Sequence, residues 1–313
     1  MQMCNASSAG ESHTFQQLAY IPVFLLGLLL NTPVLCVLFV RRRDWTDTHI
    51  YMLNLALANF ALVLFLPVRV YNAYWPLEPS HFCTGMISIH YTNMYSSILI
   101  VTCVSVHRYL SVRFPFWVRE QRTRKRIATL VCTLVWVTVV TICLGFRSEN
   151  YPDKLCTCYT RRDAPLSLEF ILVLETVGYL VPLVTMTFCS IQTACLLQRK
   201  ERTGESSEQK KAFVRIVTAN LIVFIVCYTP FHVSLGLIEY HKVDKTGWSS
   251  VDDLIHNFRD VTEWIATTNC CLDSFGYYFL LRKCLKDVSQ NYSVPPENHQ
   301  RTCTRIQLEV SNA

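Results

Sequence analysis

Charged side chains are scarce in this chain. Only 17% of its 313 residues are Asp, Glu, Lys or Arg, against 51% hydrophobic. A soluble domain of this length could bury a core of that composition, but it would not need repeated apolar runs of about 20 residues. Internal repeats are missing, as are paired broken segments in two matching halves, which argues against an inverted-repeat transporter. Rings of acidic side chains at mid-membrane depth, which a cation channel would use, are also missing. Residues before Leu18 are polar and lack a basic n-region followed by an apolar h-region, so no cleavable signal peptide is expected.

What is present is a series of seven apolar runs: Leu18 to Val40, Ile50 to Tyr71, Met86 to Val112, Ile127 to Phe146, Leu166 to Leu197, Ile216 to Ile238 and Val261 to Leu281. In hydrocarbon every backbone amide needs an internal partner, so each run is expected to be a helix. The seventh is the least regular, with Arg259, Asp260 and Glu263 at its start. The fold class expected is therefore an all-α bundle of seven membrane-spanning helices. A short amphipathic eighth helix follows over 282–290, and a disordered tail over 291–313.

Loop charge sets the orientation. Arg41, Arg42 and Arg43 lie in the first loop, Arg113, Arg119, Arg122, Arg124, Lys125 and Arg126 in the third connection, and Arg199, Lys200, Arg202, Lys210 and Lys211 in the fifth. The alternate loops carry only Lys154, Arg161, Arg162, Lys242 and Lys245. Positive-inside bias puts the odd-numbered loops in the cytoplasm and residues 1–17 outside. The net charge of +6 is this topology signal rather than a nucleic-acid footprint. The sequon at Asn5 falls outside, where glycosylation is available; a second, at Asn291, falls inside. Of 15 cysteines most lie within the apolar runs, where a free thiol behaves as a small apolar residue. Cys4, Cys83, Cys156 and Cys158 face the oxidising side, where disulfides belong. Cys83 with Cys156 or Cys158 is the expected bridge, with Cys4 available to the remaining one. Cys284, beside Arg282 and Lys283, is a palmitoylation candidate, with an unmodified thiol as the alternative.

Each run carries a polar residue or proline that apolarity alone would not place there: Asn31; Asn54, Asn59 and Pro67; His107, Arg108 and Tyr109; Trp136; Pro182; Cys227, Tyr228, Thr229 and Pro230; Asn269, Asp273 and Tyr277. In this order and at these depths, with Cys83 heading the third run, the set resembles the rhodopsin-like (class A) G protein-coupled receptors over Leu18 to Gln290. The finer resemblance is to the branch of receptors 35 and 55. It rests on Trp45 to Ala56, Tyr91 to Ile98, Ala219 to Leu235 and Asn269 to Phe279. Ser105 to Val112 looks instead like the purinergic nucleotide receptors. Four positions depart from the pattern: His107 stands where the family has an acid, Asn59 where it has Asp, Ser274 where it has Pro, and Met94 where receptor 35 has an arginine.

The resemblance implies a receptor, not an enzyme, in the plasma membrane, without a cofactor. It implies heterotrimeric G proteins (Gi/o or G12/13) and arrestin as partners, and aromatic carboxylates or lysophospholipids as ligands. His107, Arg108, Tyr109, Tyr228, Pro230, Asp273 and Tyr277 would form the switch, with Pro182 and Pro230 as kink points. Asn31, Asn59, Ser97, Asn269 and Asp273 resemble the family's sodium-and-water pocket. With one carboxylate left in it, a water network is expected there rather than sodium. His107 is mostly neutral near pH 7 and supplies no negative charge, so a loose resting lock on Arg108 is expected. The alternative is that Tyr or backbone groups hold Arg108.

Ionisable groups near the outer ends of the runs mark a ligand pocket. The candidates are Arg69, His90, Tyr91, Met94, Arg147, Arg162, Phe231, His232, Arg259 and Trp264. Arg69 lies ten residues from Asn59, about 15 Å outward along a helix, and stands in for the arginine missing at Met94. Guanidinium groups among aromatics suit a small, partly apolar anion. Glu175, Asp260 and Glu263 share the zone and offer the alternative, internal neutralisation. Other readings are a non-signalling ligand scavenger and a receptor for nucleotides or for a chemokine-like protein.

Overall fold

The structure, a computed structural model, describes residues 9–40, 45–114, 121–149, 155–161, 167–201, 208–244, 254–255 and 257–274, with the side chains at several segment ends left aside. Seven helices run through them. They are α1 (Ala9–Val40), α2 (Asp47–Tyr74), α3 (His81–Arg113), α4 (Gln121–Glu149), α5, α6 (Glu208–Asp244) and α7 (257–274). The first six spans are each long and apolar enough to cross a membrane. Helix is already present ahead of the apolar run, where Arg259 and Asp260, with Glu263 in the next turn, all have polar partners.

α5 is continuous but not uniform. It runs as α-helix over Leu168–Glu175, as a π turn over Thr176–Leu180, and again as α-helix over Val181–Glu201. Pro182 follows the turn directly and has no N–H to return to the carbonyl four residues back, which is that of Gly178. The extra residue per turn absorbs the broken ladder. Gly178 makes room for this geometry: a Cβ there would meet Cε1 of Tyr95 on α3 at 2.6 Å.

α3 is the central element. Tyr95, Ile98 and Ile100 are at most 1% exposed, and the largest apolar cluster is built around them. A second cluster joins Tyr20 and Val23 of α1 to Val63 and Leu66 of α2 and Cys270 of α7. The backbones approach closely at Gly27, where a Cβ would lie 2.5 Å from Val63. The outward faces carry Leu25, Leu29, Leu64, Leu130, Val184, Ile191 and Val226, all exposed. That much apolar surface suits lipid contact rather than water. Thr129, Thr133, Thr138 and Thr141 on the outer face of α4 each donate the hydroxyl to the carbonyl four residues back, which satisfies it without water.

Between α4 and α5, β1 (Leu155–Thr157) and β2 (Thr160–Arg161) pair antiparallel. The hairpin is fastened to the bundle end. Cys158 is disulfide-bonded to Cys83 at the head of α3, so the bridge takes Cys158, and Cys156 remains in β1. Cys158 N–H donates to the Leu77 carbonyl at 3.0 Å, and Asn72 Nδ2 donates to the Cys158 carbonyl at 2.9 Å. Tyr159 holds a left-handed backbone, φ 74°, which a bulky side chain adopts only when the surroundings fix it.

Candidate functional site

At the hairpin end, four helices bring ionisable groups together. Arg69 of α2 is 3% exposed and its Nη1 lies 2.7 Å from Glu263 Oε1 of α7. His90 Nε2 of α3 approaches the same oxygen at 3.3 Å. The Arg69 guanidinium is sandwiched, 4.4 Å from the Tyr20 ring centroid and 4.9 Å from that of Tyr159. These contacts supply the partner that a buried cation requires, and they explain the strained turn at Tyr159. Burial pushes the Tyr159 hydroxyl up to about 12, against the opposing pull of Arg69.

Arg259 is placed differently. Its Nη2 donates to the Tyr91 hydroxyl at 3.4 Å. Among the described residues no carboxylate lies within ion-pair distance of it, and its Nε is buried without a hydrogen-bond partner. Asp260 beside it accepts from Gln16 Nε2 of α1 at 3.3 Å. The two guanidinium groups, Arg69 and Arg259, are matched in number by Glu263 and Asp260, but the pairing is uneven: Glu263 contacts Arg69, and among the described residues Arg259 has no carboxylate within ion-pair distance.

An aromatic wall continues from there into the bundle. Tyr91 packs against His90 (5.3 Å between centroids) and Phe231 (6.2 Å). Met94, one turn further, is 3% exposed. His232 stacks on Tyr179 at 4.4 Å, and its Nδ1 lies 3.0 Å from Glu175 Oε1. Trp264 faces away toward α1, donating to the Ala19 carbonyl at 2.8 Å and packing edge-on against Phe15. The backbone of Arg147 is in α4; its side chain, like all of Arg162, Tyr277, Asn5 and the eighth helix, lies outside the described residues.

The mid-membrane polar residues do meet. Asp273 Oδ2 accepts from Asn59 Nδ2 at 3.2 Å and from Asn269 Nδ2 at 2.8 Å. Asn59 Oδ1 accepts from Asn93 at 2.7 Å and Ser97 at 3.5 Å. Ser274 donates to Asn31 Oδ1 at 2.6 Å, and Asn31 donates to the carbonyls of Gly27 and Cys270. Two hydrogen-bonded sets on neighbouring α7 residues therefore join the helices: Asp273 with α2 and α3, and Ser274 with α1. Asn93 was not among the sequence candidates; it sits one residue before Met94 on a run that reads as apolar. Tyr179, in the π turn, donates to Thr229 Oγ1 at 2.9 Å beside Pro230, a second link that sequence spacing does not show.

At the opposite end His107 Nε2 lies 2.6 Å from Asp47 Oδ2, the first residue of α2. Arg124 Nη1 of α4 is 3.7 Å from the same oxygen. Arg108 is 9% exposed, and Tyr109 packs on Phe188 of α5. The sequence reading, that His107 supplies no negative charge to Arg108, named no partner for His107 itself. The structure supplies one from 60 positions earlier in the chain, a distance at which sequence gives no pairing signal.

Residues 30–277 match the family model described as 7 transmembrane receptor (rhodopsin family). The chain belongs to that family. It is 34% identical over 275 residues to G-protein coupled receptor 35 of Homo sapiens, covering 85% of this chain and 84% of the relative. Lysophosphatidic acid receptor 6 of Gallus gallus is 29% identical over 309 residues, covering 93% and 96%. A putative purinoceptor of Mus musculus is 28% identical over 306 residues, covering 93% and 91%. These relatives are receptors rather than enzymes, and this rhodopsin-family chain is a multi-pass membrane receptor. The disulfide joins the head of α3 to the hairpin, and Pro230 lies inside the continuous helix α6.

Proposed function

We propose that this receptor senses a small, partly apolar anion at the hairpin end and drives nucleotide exchange on a heterotrimeric G protein, of the Gi/o or G12/13 class, at the Arg108 end. The hairpin end and the amino terminus face outward and the arginine-rich loops face the cytoplasm, in the plasma membrane. Arrestin is the second cytoplasmic partner. The observation that carries the ligand class is the unevenly paired cation. Arg69 is paired with Glu263, whereas Arg259 meets a phenol and, among the described residues, no carboxylate within ion-pair distance. An anionic head group would complete Arg259, and the Tyr91 and Phe231 rings would cover the apolar part of the ligand. Lysophosphatidic acids and aromatic carboxylates both have that form, and receptors for lysophosphatidic acid stand among the relatives.

A charge-assisted hydrogen bond contributes about 1.5–3 kcal/mol, which corresponds to about tenfold to a hundredfold in affinity. Arg259→Gln is expected to move the concentration–response curve for an activating anion to the right by that factor at equal surface density. An unshifted curve would remove Arg259 from the ligand site.

A further inference from the structure

The Asp47, His107 and Arg124 cluster belongs neither to the ligand pocket nor to the mid-membrane network. Asp47 heads α2 and its side chain is 4% exposed. Among the described side chains at the Arg108 end it is the one carboxylate. A carboxylate buried this far persists only when its charge is answered. The answer comes from two helices at once: His107 of α3 at 2.6 Å and Arg124 of α4 at 3.7 Å, both on Oδ2. The Tyr51 ring, one turn along α2, lies 5.9 Å from the His107 ring and closes the side of the contact.

Asp47 itself is held in register. Thr46 caps α2, with its backbone N–H donating to His49 Nδ1 at 3.0 Å. Trp45 donates to the Leu38 carbonyl at the end of α1 at 2.9 Å. Higher up, Trp136 of α4 donates to Asn54 of α2 at 2.9 Å, so the two helices that flank α3 here are themselves tied. The carboxylate is thus a fixed point to which the residue immediately before Arg108 is fastened.

We propose that Asp47 is a positioning residue for the G protein switch: it latches the cytoplasmic end of α3 to α2 and α4 and thereby sets the resting position of Arg108. The acid stands on α2 and its partner His107 stands on α3, beside Arg108. The inference rests on the reading of this chain as a G protein-coupled receptor with its Arg108 end in the cytoplasm, and is independent of the ligand.

The test measures nucleotide-exchange signals from a panel of G proteins in cells at matched surface density, without ligand and with lysophosphatidic acid as probe. Asp47→Asn is expected to raise the ligand-free signal about tenfold. His107→Asp alone sets two carboxylates side by side and is expected to raise it as well. The exchanged pair, Asp47→His with His107→Asp, rebuilds the contact and is expected to return the signal to the parent level, which a loss of packing alone would not do. Should Asp47→Asn fail to reach the surface, Arg124→Gln and His107→Asn read the same contact, each with a rise. A ligand-free signal unchanged in the variants while lysophosphatidic acid still drives exchange overturns the latch alone. A fall in signal for His107→Asp alone also overturns it, because the acid would then act from α3. Silence of parent and variants in both arms overturns the coupling reading and the latch with it.

Discussion

Glu263 carries more of the hairpin end than its single negative charge suggests. One oxygen receives Arg69 at 2.7 Å and His90 at 3.3 Å, in a site that excludes water from all three. Removing one partner of a buried pair leaves the other charge stranded, at about 3–5 kcal/mol. Glu263→Gln is therefore expected to lower surface expression and the thermal midpoint of the detergent-purified receptor. The double change Arg69→Met with Glu263→Leu, which removes both charges, is expected to recover most of that loss. A single variant as stable as the parent would show that the pair is not closed. The sequence placed Arg69, His90 and Glu263 in one zone because each is an ionisable group on an apolar run, but it left open whether they meet a ligand or one another. Arg69 turns out to meet Glu263, whereas Arg259 meets the Tyr91 hydroxyl, and only distances could separate them. Asp47 and His107 were further out of reach, because their contact depends on how the ends of two helices cross.

The helices themselves were legible, because backbone amides in hydrocarbon leave one solution for an apolar run of that length. The departures occur where side chains override the run. α7 is already helical ahead of 261, where its three charged residues are answered by α1, α2 and α3. The π turn in α5 has no signature in apolar periodicity; Pro182 marks that something breaks, but not that the break is taken up by one extra residue before it. Gly178 makes the point testable. A methyl there would drive into the Tyr95 ring, and overpacking of this kind costs about 1–3 kcal/mol. Gly178→Ala is expected to lower the thermal midpoint, and Tyr95→Leu in the same chain to restore part of it. A neutral Gly178→Ala would mean that the π turn relaxes without cost. The bridge between Cys83 and Cys158 was narrowed to two partners by compartment, and the choice was made by Asn72 and Leu77, which pin Cys158 on the end of α2.

Across the whole molecule, the hairpin end and the Arg108 end are separated by a mid-membrane polar network that ties α2 and α3 to α7 through Asp273 and Asn59, and α1 to α7 through Asn31 and Ser274. Asp273 sits at its centre, answered by amides rather than by a base. Packed networks with two discrete arrangements are the physical means by which a distant site biases another. The hydrogen bond from Tyr179 to Thr229 adds a direct tie between the π turn of α5 and the Pro230 kink of α6, next to the aromatic wall that a ligand would touch. The sequence showed the residues of this chain in order and at the right depths; the partner exchange at His107, the role of Asn93 and the neutralisation of Arg69 became visible only when the helices were set side by side.

The most direct test of the central claim is nucleotide exchange on purified Gi and G13 by the receptor reconstituted in lipid discs, with each anionic probe compared with its neutral methyl ester. If the Arg259 guanidinium selects the ligand, the acid accelerates exchange and the ester of the same skeleton does not, with at least about a tenfold gap in potency. Equal potency of acid and ester would contradict an anion-sensing site at the hairpin end.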